Sequence, residues 1–408
     1  MAEPESLRCT ACGATTPISE MPSICGHCRG ILDVQYPDAI ERPPAAEGSG
    51  IWRWAGYLPR CTLENRISLG EAESPLMRCD TLAHRLGLSD LWIKNDAIMP
   101  TGSFKDRAMA LTVSLARAYR SAGLILSSSG NAGASGAAYA ARAGLHILVL
   151  VPAHTPEAKL RQIALCGATL VTVDGATSDT CGMVERLARD HGLTNVTTTF
   201  HNPYGVEAYA TLAYETANLE PDVVLLPIAS GPLLVGMMKG YHRLKARGAI
   251  SRVPRPVAVQ AANCAPIARA FDGDCRVAPW EHQDSVASAL NDTLAGYERD
   301  GDHTIDCIKQ HGGCAIAVDE DEIVGAVRDL AGSEGIVAEP SAAVPVAAVK
   351  HLLKRELIRA DERVLVVATG HGLKDLSCAP SASRATASPA EIDALARELA
   401  ESPRSGRL

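Results

Sequence analysis

Four cysteines close to the N-terminus stand in two pairs with the spacing of metal-binding knuckles. Cys9 and Cys12 form the first C-x-x-C pair, and Cys25 and Cys28 form the second, after an interval of twelve residues. Two such pairs are typical of a tetrahedral zinc site with four thiolates. That set leaves no open coordination position, so the zinc would stabilise a small ribbon rather than catalyse a reaction. His27 is an alternative ligand, and a redox pair or idle thiols are the alternatives to a metal.

A lysine among small and polar residues is the first candidate for catalysis. The segment Pro-Thr-Gly-Ser-Phe-Lys-Asp-Arg at 100–107 places Lys105 just before the helical run 108–118. The positive end of a helix dipole favours the neutral amine of a nearby lysine. A neutral amine is the form that attacks a carbonyl group to make an imine. An ordinary surface charge is the alternative for a lysine in this position.

Three further polar loops follow predicted strands or open predicted helices, where ligands bind in open α/β sheets. Ser-Ser-Gly-Asn-Ala-Gly-Ala-Ser-Gly at 128–136 lies between a strand and a helix. Ala-Ser-Gly at 229–231 opens a helix, and the free N–H groups of a helix start suit a phosphate. Thr-Gly-His-Gly-Leu-Lys-Asp at 369–375 follows the last predicted strand. Each loop taken alone is also compatible with an ordinary turn.

Apolar strands and helices alternate along the chain from about residue 120. Continuous runs of Val, Leu and Ile between helices indicate a parallel sheet with both faces covered. The predicted strands are 124–129, 146–151, 169–173, 223–226, 256–260 and 363–367, and the predicted helices are 135–143, 156–166, 179–190, 233–246, 320–333, 341–355 and a terminal 389–401.

Composition narrows the function classes. The 408 residues carry 39 Lys and Arg against 47 Asp and Glu, a net charge of −8, which argues against nucleic-acid binding. No apolar run reaches the roughly 18–20 residues that a membrane span needs. The acidic first residues lack the apolar core of a secretory signal, so we expect a cytoplasmic protein that acts on a small molecule.

The predicted domain organisation has five parts. Residues 1–37 form the zinc ribbon, and the Pro- and Gly-containing 38–50 forms a linker. Residues 51–118 and 203–378 form a large domain, and 119–202 forms a small mobile α/β domain. Residues 379–408 form a tail.

Taken together, the polar segments resemble the pyridoxal-phosphate enzymes of fold type II and, among these, the threonine synthase family. The lysine segment 100–107, the asparagine loop 129–133 and the segment 369–375 are each similar to a motif of that family. So are the ribbon followed by Ile-Trp-Arg-Trp-Ala-Gly-Tyr-Leu-Pro at 51–59, and Glu-Gly-Ile-Val-Ala-Glu-Pro-Ser-Ala at 334–342. The resemblance covers about 7–378. It implies a tryptophan synthase β-like α/β fold with two doubly wound parallel-sheet domains, and a homodimer.

The resemblance also implies roles for individual residues. Lys105 would hold the cofactor aldehyde as an imine and carry protons during catalysis. Asn131 would bind the ring hydroxyl, and Thr369 would meet the pyridine nitrogen. The cofactor phosphate would lie against Ser230, Gly231 and Leu233. The substrate residues would be Ser103, Ser128 and Ser129 at the carboxylate. For a substrate phosphate, helix spacing rather than the resemblance offers Lys159 or Arg161, which are two positions apart and so cannot both face the cleft. Arg161, with its bidentate fork, is the better candidate, and a solvated helix face is the alternative.

The implied reaction is the conversion of O-phospho-L-homoserine and water to L-threonine and phosphate by γ-elimination and β-addition. Three positions differ from the family pattern: Ser74 where threonine is usual, Met99 where asparagine is usual, and Pro232 in the phosphate loop. These differences leave the cofactor assignment unchanged and bear on the identity of the substrate. The segment 281–310 also matches the family poorly. The alternatives are β-replacement on phosphoserine or an acylserine (cysteate synthesis with sulfite, for example), a serine/threonine dehydratase, and an interaction module fused to a degenerate enzyme domain.

Overall fold

The computed structural model describes residues 5–36, 48–128, 130–152, 157–173, 177–281, 284–380 and 388–401. Most of the predicted linker, 38–47, and parts of the predicted tail therefore lie outside the described residues. The strands are β1 Ser6–Cys9, β2 Thr15–Pro17, β3 Leu32–Gln35, β4 Leu76–Arg78, β5 Asp90–Asn95, β6 Leu124–Ser127, β7 Ile147–Pro152, β8 Thr169–Val173, β9 Thr194–Asn195, β10 Val223–Pro227, β11 Arg255–Ala261, β12 Cys314–Val318 and β13 Arg363–Ala368. The helices are α1 Asp80–Leu86, α2 Lys105–Ala118, α3 Asn131–Ala143, α4 Glu157–Leu165, α5 Thr177–His191, α6 Pro203–Glu215, α7 Pro232–Ala246, α8 Pro266–Asp272, α9 Glu298–Gln310, α10 Glu320–Glu334, α11 Pro340–Lys354 and α12 Pro389–Glu401.

A six-stranded sheet in the order β12-β11-β10-β13-β5-β4 forms the larger part of the molecule. Its central strand β10 is buried along its whole length, as a strand covered on both faces must be. Leu226 packs with α7, and its neighbour Leu225 packs with α11 on the opposite face. The sequence predicted this arrangement of a parallel sheet between helices, and the structure confirms it.

One edge of the large sheet differs from the all-parallel prediction. β4 pairs antiparallel with β5, with Leu76 opposite Lys94. Only eleven residues, including the short α1, join the two strands. A parallel crossover needs a dozen residues or more, so this connection returns the chain in the opposite direction.

A second sheet, in the order β8-β7-β6-β9, is parallel throughout. Leu124 and Leu126 of β6 share an apolar cluster with α3, while Ile125 packs with Val184 of α5 on the other face. The sheet lies within 119–202, the segment predicted as a small domain. Its mobility relative to the rest stays a prediction.

The N-terminal strands form a separate antiparallel sheet in the order β2-β1-β3. Polar contacts attach it to the larger sheet's helices: the Tyr36 hydroxyl donates to Glu207 Oε1 of α6 at 3.1 Å. Arg29 also forms an ion pair of 2.8 Å with Glu185 of α5. This small sheet therefore contacts both of the other layers.

Within the described ranges, every helix is too short or too polar to span a lipid bilayer.

Candidate active site

The carboxyl ends of parallel strands from both sheets open on one cavity of about 490 Å³. Ser127 ends β6, Pro227 ends β10 and Thr369 follows β13, and all three line this cavity. Ligands bind at such carboxyl ends in open α/β sheets, and the volume is in the range of cofactor sites. All four polar loops that the sequence singled out contribute residues to the lining of this cavity.

Lys105 is the first residue of α2 and faces the cavity. Its Nζ donates to Thr198 Oγ1 at 2.7 Å and lies 4.6 Å from the centroid of the Phe104 ring. Burial lowers the pKa of Lys105 to about 8, although Glu339 and Asp292 act in the opposite direction. A larger fraction of this amine is therefore neutral near physiological pH, as a nucleophile or general base requires.

The next residue, Asp106, holds the lysine loop against α3. Its carboxylate accepts from the hydroxyls of Thr101 and Ser135, each at 2.5 Å, and from the Thr101 N–H at 2.8 Å. Burial raises the pKa of Asp106 to about 6 despite these hydrogen bonds. The loop before Lys105 is thus fixed by a fully buried acidic group.

Arg107 anchors the same segment from the opposite side. Its side chain is fully buried and forms ion pairs with Asp96, at 2.7 Å, and with Glu215 of α6, at 2.5 Å. Neighbouring helical positions point in different directions, so Lys105, Asp106 and Arg107 contact three different surroundings. The sequence pattern indicates only the lysine, because burial and not residue type gives Asp106 and Arg107 their role.

The start of α7 forms a backbone cradle suited to a phosphate. Gly231 has φ +106°, and a Cβ there would lie 2.1 Å from Thr304 Oγ1. That hydroxyl donates to the Ser230 carbonyl at 2.6 Å, which fixes the turn. Pro232 has no N–H, so Leu233 is the first residue of the helix that can donate one to an anion. Ser230, Gly231 and Leu233 all line the cavity, as the phosphate role requires.

Asn131 and Thr369 also line the cavity, on different walls. Asn131 opens α3, and its Nδ2 donates to Glu339 Oε1 at 2.7 Å. An amide nitrogen has two hydrogens, so one remains for a ligand. Glu339, which is 5% exposed, caps α11, and the sequence analysis assigned it no role. Only the packing of α3 against the start of α11 shows that it faces the site.

Three more charged residues of the cavity escaped the sequence analysis as site residues: Lys374, Asp375 and Asp292. Lys374 donates to the Thr101 carbonyl at 2.8 Å and to Gln162 Oε1 at 3.0 Å. Burial lowers the pKa of Lys374. Lys374 and Asp375 belong to the segment 369–375, so that motif was a sequence signal for both as site residues. For Asp292 the only signal was that 281–310 differs from the family.

The four predicted substrate residues fall in different environments. Ser128 lines the cavity, and its Oγ accepts from the Gly130 N–H at 3.3 Å. Ser103 is fully buried, and its Oγ has no hydrogen-bond partner among the described residues. Ser129 lies outside the described residues. Arg161 is exposed on α4 and is not among the described residues that line the cavity, so its contact with a substrate stays a prediction.

The thiols of Cys9, Cys12, Cys25 and Cys28 converge in the N-terminal sheet. All four Sγ atoms lie within 4.8 Å of one another, with 3.4 Å between the first and last and 3.6 Å between the middle two. Thiolates on one tetrahedral zinc are about 3.8 Å apart, given Zn–S bonds of about 2.3 Å. Among the described residues the cluster consists of these thiols, and His27 is not in it. The donor set fits zinc.

Known proteins are similar to this chain over most of its length. A model of the family described as "Pyridoxal-phosphate dependent enzyme" matches residues 67–370. Threonine synthase of Methanocaldococcus jannaschii is 33% identical over 398 residues, which cover 95% of this chain and 96% of that protein. Threonine synthase of a Synechocystis species is 32% identical, over 82% of this chain and 87% of its own length.

Solved structures share the fold at lower identity. Maize serine racemase superposes with a TM-score of 0.63 at 18% identity, over 80% of this chain and 93% of its own. Threonine deaminase isoform 2 of Solanum lycopersicum gives a TM-score of 0.64 at 18% identity, over 88% of this chain and 90% of its own. These matches identify an α/β architecture of the fold type II class.

Proposed function

Because the chain belongs to the pyridoxal-phosphate dependent enzyme family, we propose that it is a threonine synthase, a lyase that converts O-phospho-L-homoserine and water to L-threonine and phosphate. The observation that carries this proposal is Lys105, with its lowered pKa, on a cavity that also contains the Gly231 cradle. Similarity to threonine synthases over nearly the whole chain supports the choice among reactions of the family.

The residues that line the cavity have separate roles in cofactor binding and proton transfer. When bound, pyridoxal phosphate draws electrons from the Cα of an amino acid. Lys105 binds the cofactor and moves protons at Cα, Cβ and Cγ of the substrate. Asn131 and Thr369 would hold the ring, and the neutral hydroxyl of Thr369 would face its nitrogen without supplying a negative charge. The N–H groups of Gly231 and Leu233 hold the cofactor phosphate.

A parallel assay tests this function. The cofactor-loaded protein is incubated with phosphohomoserine, phosphoserine, serine and threonine, and released phosphate, product amino acids and keto acids are measured. We expect L-threonine and phosphate in equal amounts from phosphohomoserine. Keto acids from serine and threonine, without threonine synthesis, would instead identify a dehydratase.

β-Replacement on a phosphorylated or acylated serine is the second candidate. Among the described residues that line the cavity, the cations are Lys105 and Lys374, whereas Asp292, Asp375 and Glu339 are acidic. With all three acids ionised, such a site is less favourable for a phosphate dianion than for an acyl leaving group. Turnover of an acylserine or phosphoserine with sulfite, together with no threonine from phosphohomoserine, would establish this second reaction.

We expect Lys374 to bind the substrate phosphate. Two of its ammonium hydrogens go to Thr101 and Gln162, and the third is available to a ligand. A hydrogen bond to a charged group is worth about 1.5–3 kcal/mol, so Lys374→Met should raise the KM for phosphohomoserine about 10- to 100-fold. The KM for unphosphorylated serine should change much less.

Arg161→Ala, measured beside it, tests the ligand that the sequence predicted. A larger KM effect of Arg161→Ala than of Lys374→Met would show that the arginine holds the phosphate in solution and that the lysine does not. Equal effects of Lys374→Met on phosphohomoserine and serine would remove the phosphate role.

We further propose that the N-terminal thiols bind one structural zinc ion per chain. A sheet of three short strands has too little apolar core to be stable alone, and metal binding supplies folding free energy. Cys9→Ser should lose the metal and lower the melting temperature, while the cofactor stays bound at Lys105. Metal analysis by mass spectrometry on reduced protein measures the stoichiometry, and a folded wild type without zinc would contradict the proposal.

The proposed enzyme is cytoplasmic and homodimeric, and residues 119–202 form the small domain that moves against the large one, 51–118 with 203–378. The ion pair between Arg29 of the ribbon and Glu185 of the small domain fits a ribbon that influences this movement.

A further inference from the structure

Asp292 is an acidic residue of the active-site cavity to which no role has been given. It lies in the loop between α8 and α9, within the segment 281–310 that departs from the family pattern. Its carboxyl group and the amine of Lys105 influence each other: the acid raises the pKa of Lys105, and the lysine lowers the pKa of the acid. Both residues line the same cavity, so both can reach a substrate bound there.

The surroundings of Asp292 fix one oxygen and leave the other for chemistry. Oδ1 accepts from the Tyr297 hydroxyl at 2.5 Å and from the Leu294 N–H at 3.1 Å. The Asp292 N–H donates to the Leu290 carbonyl at 2.8 Å, so the backbone is also held. Because both donors go to Oδ1, Oδ2 is the oxygen that can carry a proton toward a substrate.

Burial outweighs the groups around Asp292 that favour its charged form. Burial raises its pKa, against the hydrogen bonds of Tyr297 and Leu294 and the charge of Lys105. Asp300 of α9 is a second buried acid that interacts with it, and its own pKa is raised to about 7. The thiols that also face it, of Cys181 and Cys264, have pKa values raised mainly by burial, so they bring no charge.

We propose that Asp292 is a second catalytic acid–base group, which serves the leaving oxygen and the added water while Lys105 serves the carbon atoms. This inference rests on the proposed function. As the Cγ–O bond breaks, its electron pair stays on the phosphate oxygen, and Asp292 transfers its proton to that oxygen. As the oxygen of water bonds to Cβ, Asp292 takes up a proton of that water and regains its starting state. Without such a proton, phosphate would have to leave as a trianion.

Asp292→Asn tests the proposal because the amide keeps the oxygen that accepts from Tyr297 and Leu294. Loss of a general acid–base group typically costs 10²- to 10⁴-fold, so we expect kcat on phosphohomoserine to fall by about that factor. The same variant should still exchange the Cα proton of L-threonine in D2O, measured by NMR, within about threefold of the wild type, because Lys105 performs that step. A merely structural role would reduce turnover and exchange together.

Two neighbouring variants make the test specific. Tyr297→Phe removes a hydrogen bond that lowers the pKa of Asp292, so the fall of kcat at high pH should move to higher pH. Asp300→Asn removes the other buried acid, which is not among the described residues that line the cavity. In this variant kcat should still fall at high pH, as in the wild type. Disappearance of that fall in Asp300→Asn would assign the titration to Asp300 and overturn the proposal.

The remaining outcomes separate the inference from the proposed function. If the wild type makes threonine and Asp292→Asn keeps more than about a third of kcat, the role of Asp292 is rejected while the function stands. If the wild type makes no threonine but acts on phosphoserine, the function fails, and Asp292→Asn is then judged on phosphoserine by the same separation of turnover from exchange. If the wild type acts on neither substrate, both proposals are rejected.

Discussion

Replacing Lys105 with alanine is expected to abolish catalysis. The substituted protein lacks the amine that binds the cofactor and moves the substrate protons, and removal of such a central group reduces kcat by about 10⁴-fold or more. Release of phosphate from phosphohomoserine measures the loss. Lys105 lies at the surface of the cavity and its partner is the Thr198 hydroxyl, so the fold should remain and the melting temperature should change little.

Chemical reduction with borohydride identifies the attachment site independently of activity. The cofactor should become fixed to the peptide that contains Lys105 in the wild type, and mass spectrometry should detect no modified lysine in Lys105→Ala. Lys374→Met is the matched control, since it removes the other cavity lysine and should leave the modification at Lys105. Turnover together with cofactor fixation in Lys105→Ala would exclude Lys105 from this role.

The local part of the site could be predicted from the sequence because each loop is contiguous in the chain. Lys105, Asn131 and Thr369 each sit in a short polar segment next to a strand or helix end, and parallel strands place such ends at one edge. Alternation of apolar runs and helices likewise located six of the thirteen strands of the described residues, β6, β7, β8, β10, β11 and β13, and most of the helices. These features depend on local patterns, which a single sequence contains.

Residues whose role depends on long-range packing could not be predicted. Glu339 faces Asn131 only because α11 begins beside α3, 208 positions earlier in the chain. Asp292 reaches the cavity from a loop with little regular structure, and no periodicity indicates which way such a loop turns. The candidate ligand for the substrate phosphate is a further example. Residue type alone favoured Arg161, whereas in the structure Lys374 lines the cavity.

Replacing Arg107 with methionine is expected to cause the largest loss of stability. Its guanidinium donates to both oxygens of Asp96 and both of Glu215, and Lys94 adds a 2.6 Å ion pair to Glu215. Without Arg107, two buried carboxylates would share one lysine. Breaking a buried ion pair by removing one partner costs about 3–5 kcal/mol, so the free energy of unfolding in urea should fall by about that amount at pH 7.

The pH dependence of this loss follows from Asp96. Burial alone would raise its pKa, but Arg107 and Lys94 outweigh burial and lower it in the folded protein. A carboxyl group with a lowered pKa stabilises the fold above its ordinary value near 4, and this contribution disappears as the pH falls through the folded-state pKa. Removing Arg107 raises that pKa, so the difference between variant and wild type should be full at pH 7, should shrink once the pH falls below the raised pKa of the variant, and should vanish below the lowered pKa of the wild type.

Two controls distinguish the buried network from charge in general. Arg85→Met removes the exposed pair with Asp329, in which both side chains are more than a third accessible, and should cost less than about 1 kcal/mol. Arg107→Met combined with Asp96→Asn should recover part of the loss, since one uncompensated charge is gone. A loss in Arg107→Met no larger than in Arg85→Met would mean that water or rearranged side chains compensate the buried carboxylates. In that case Arg107 would not anchor the segment that contains Lys105.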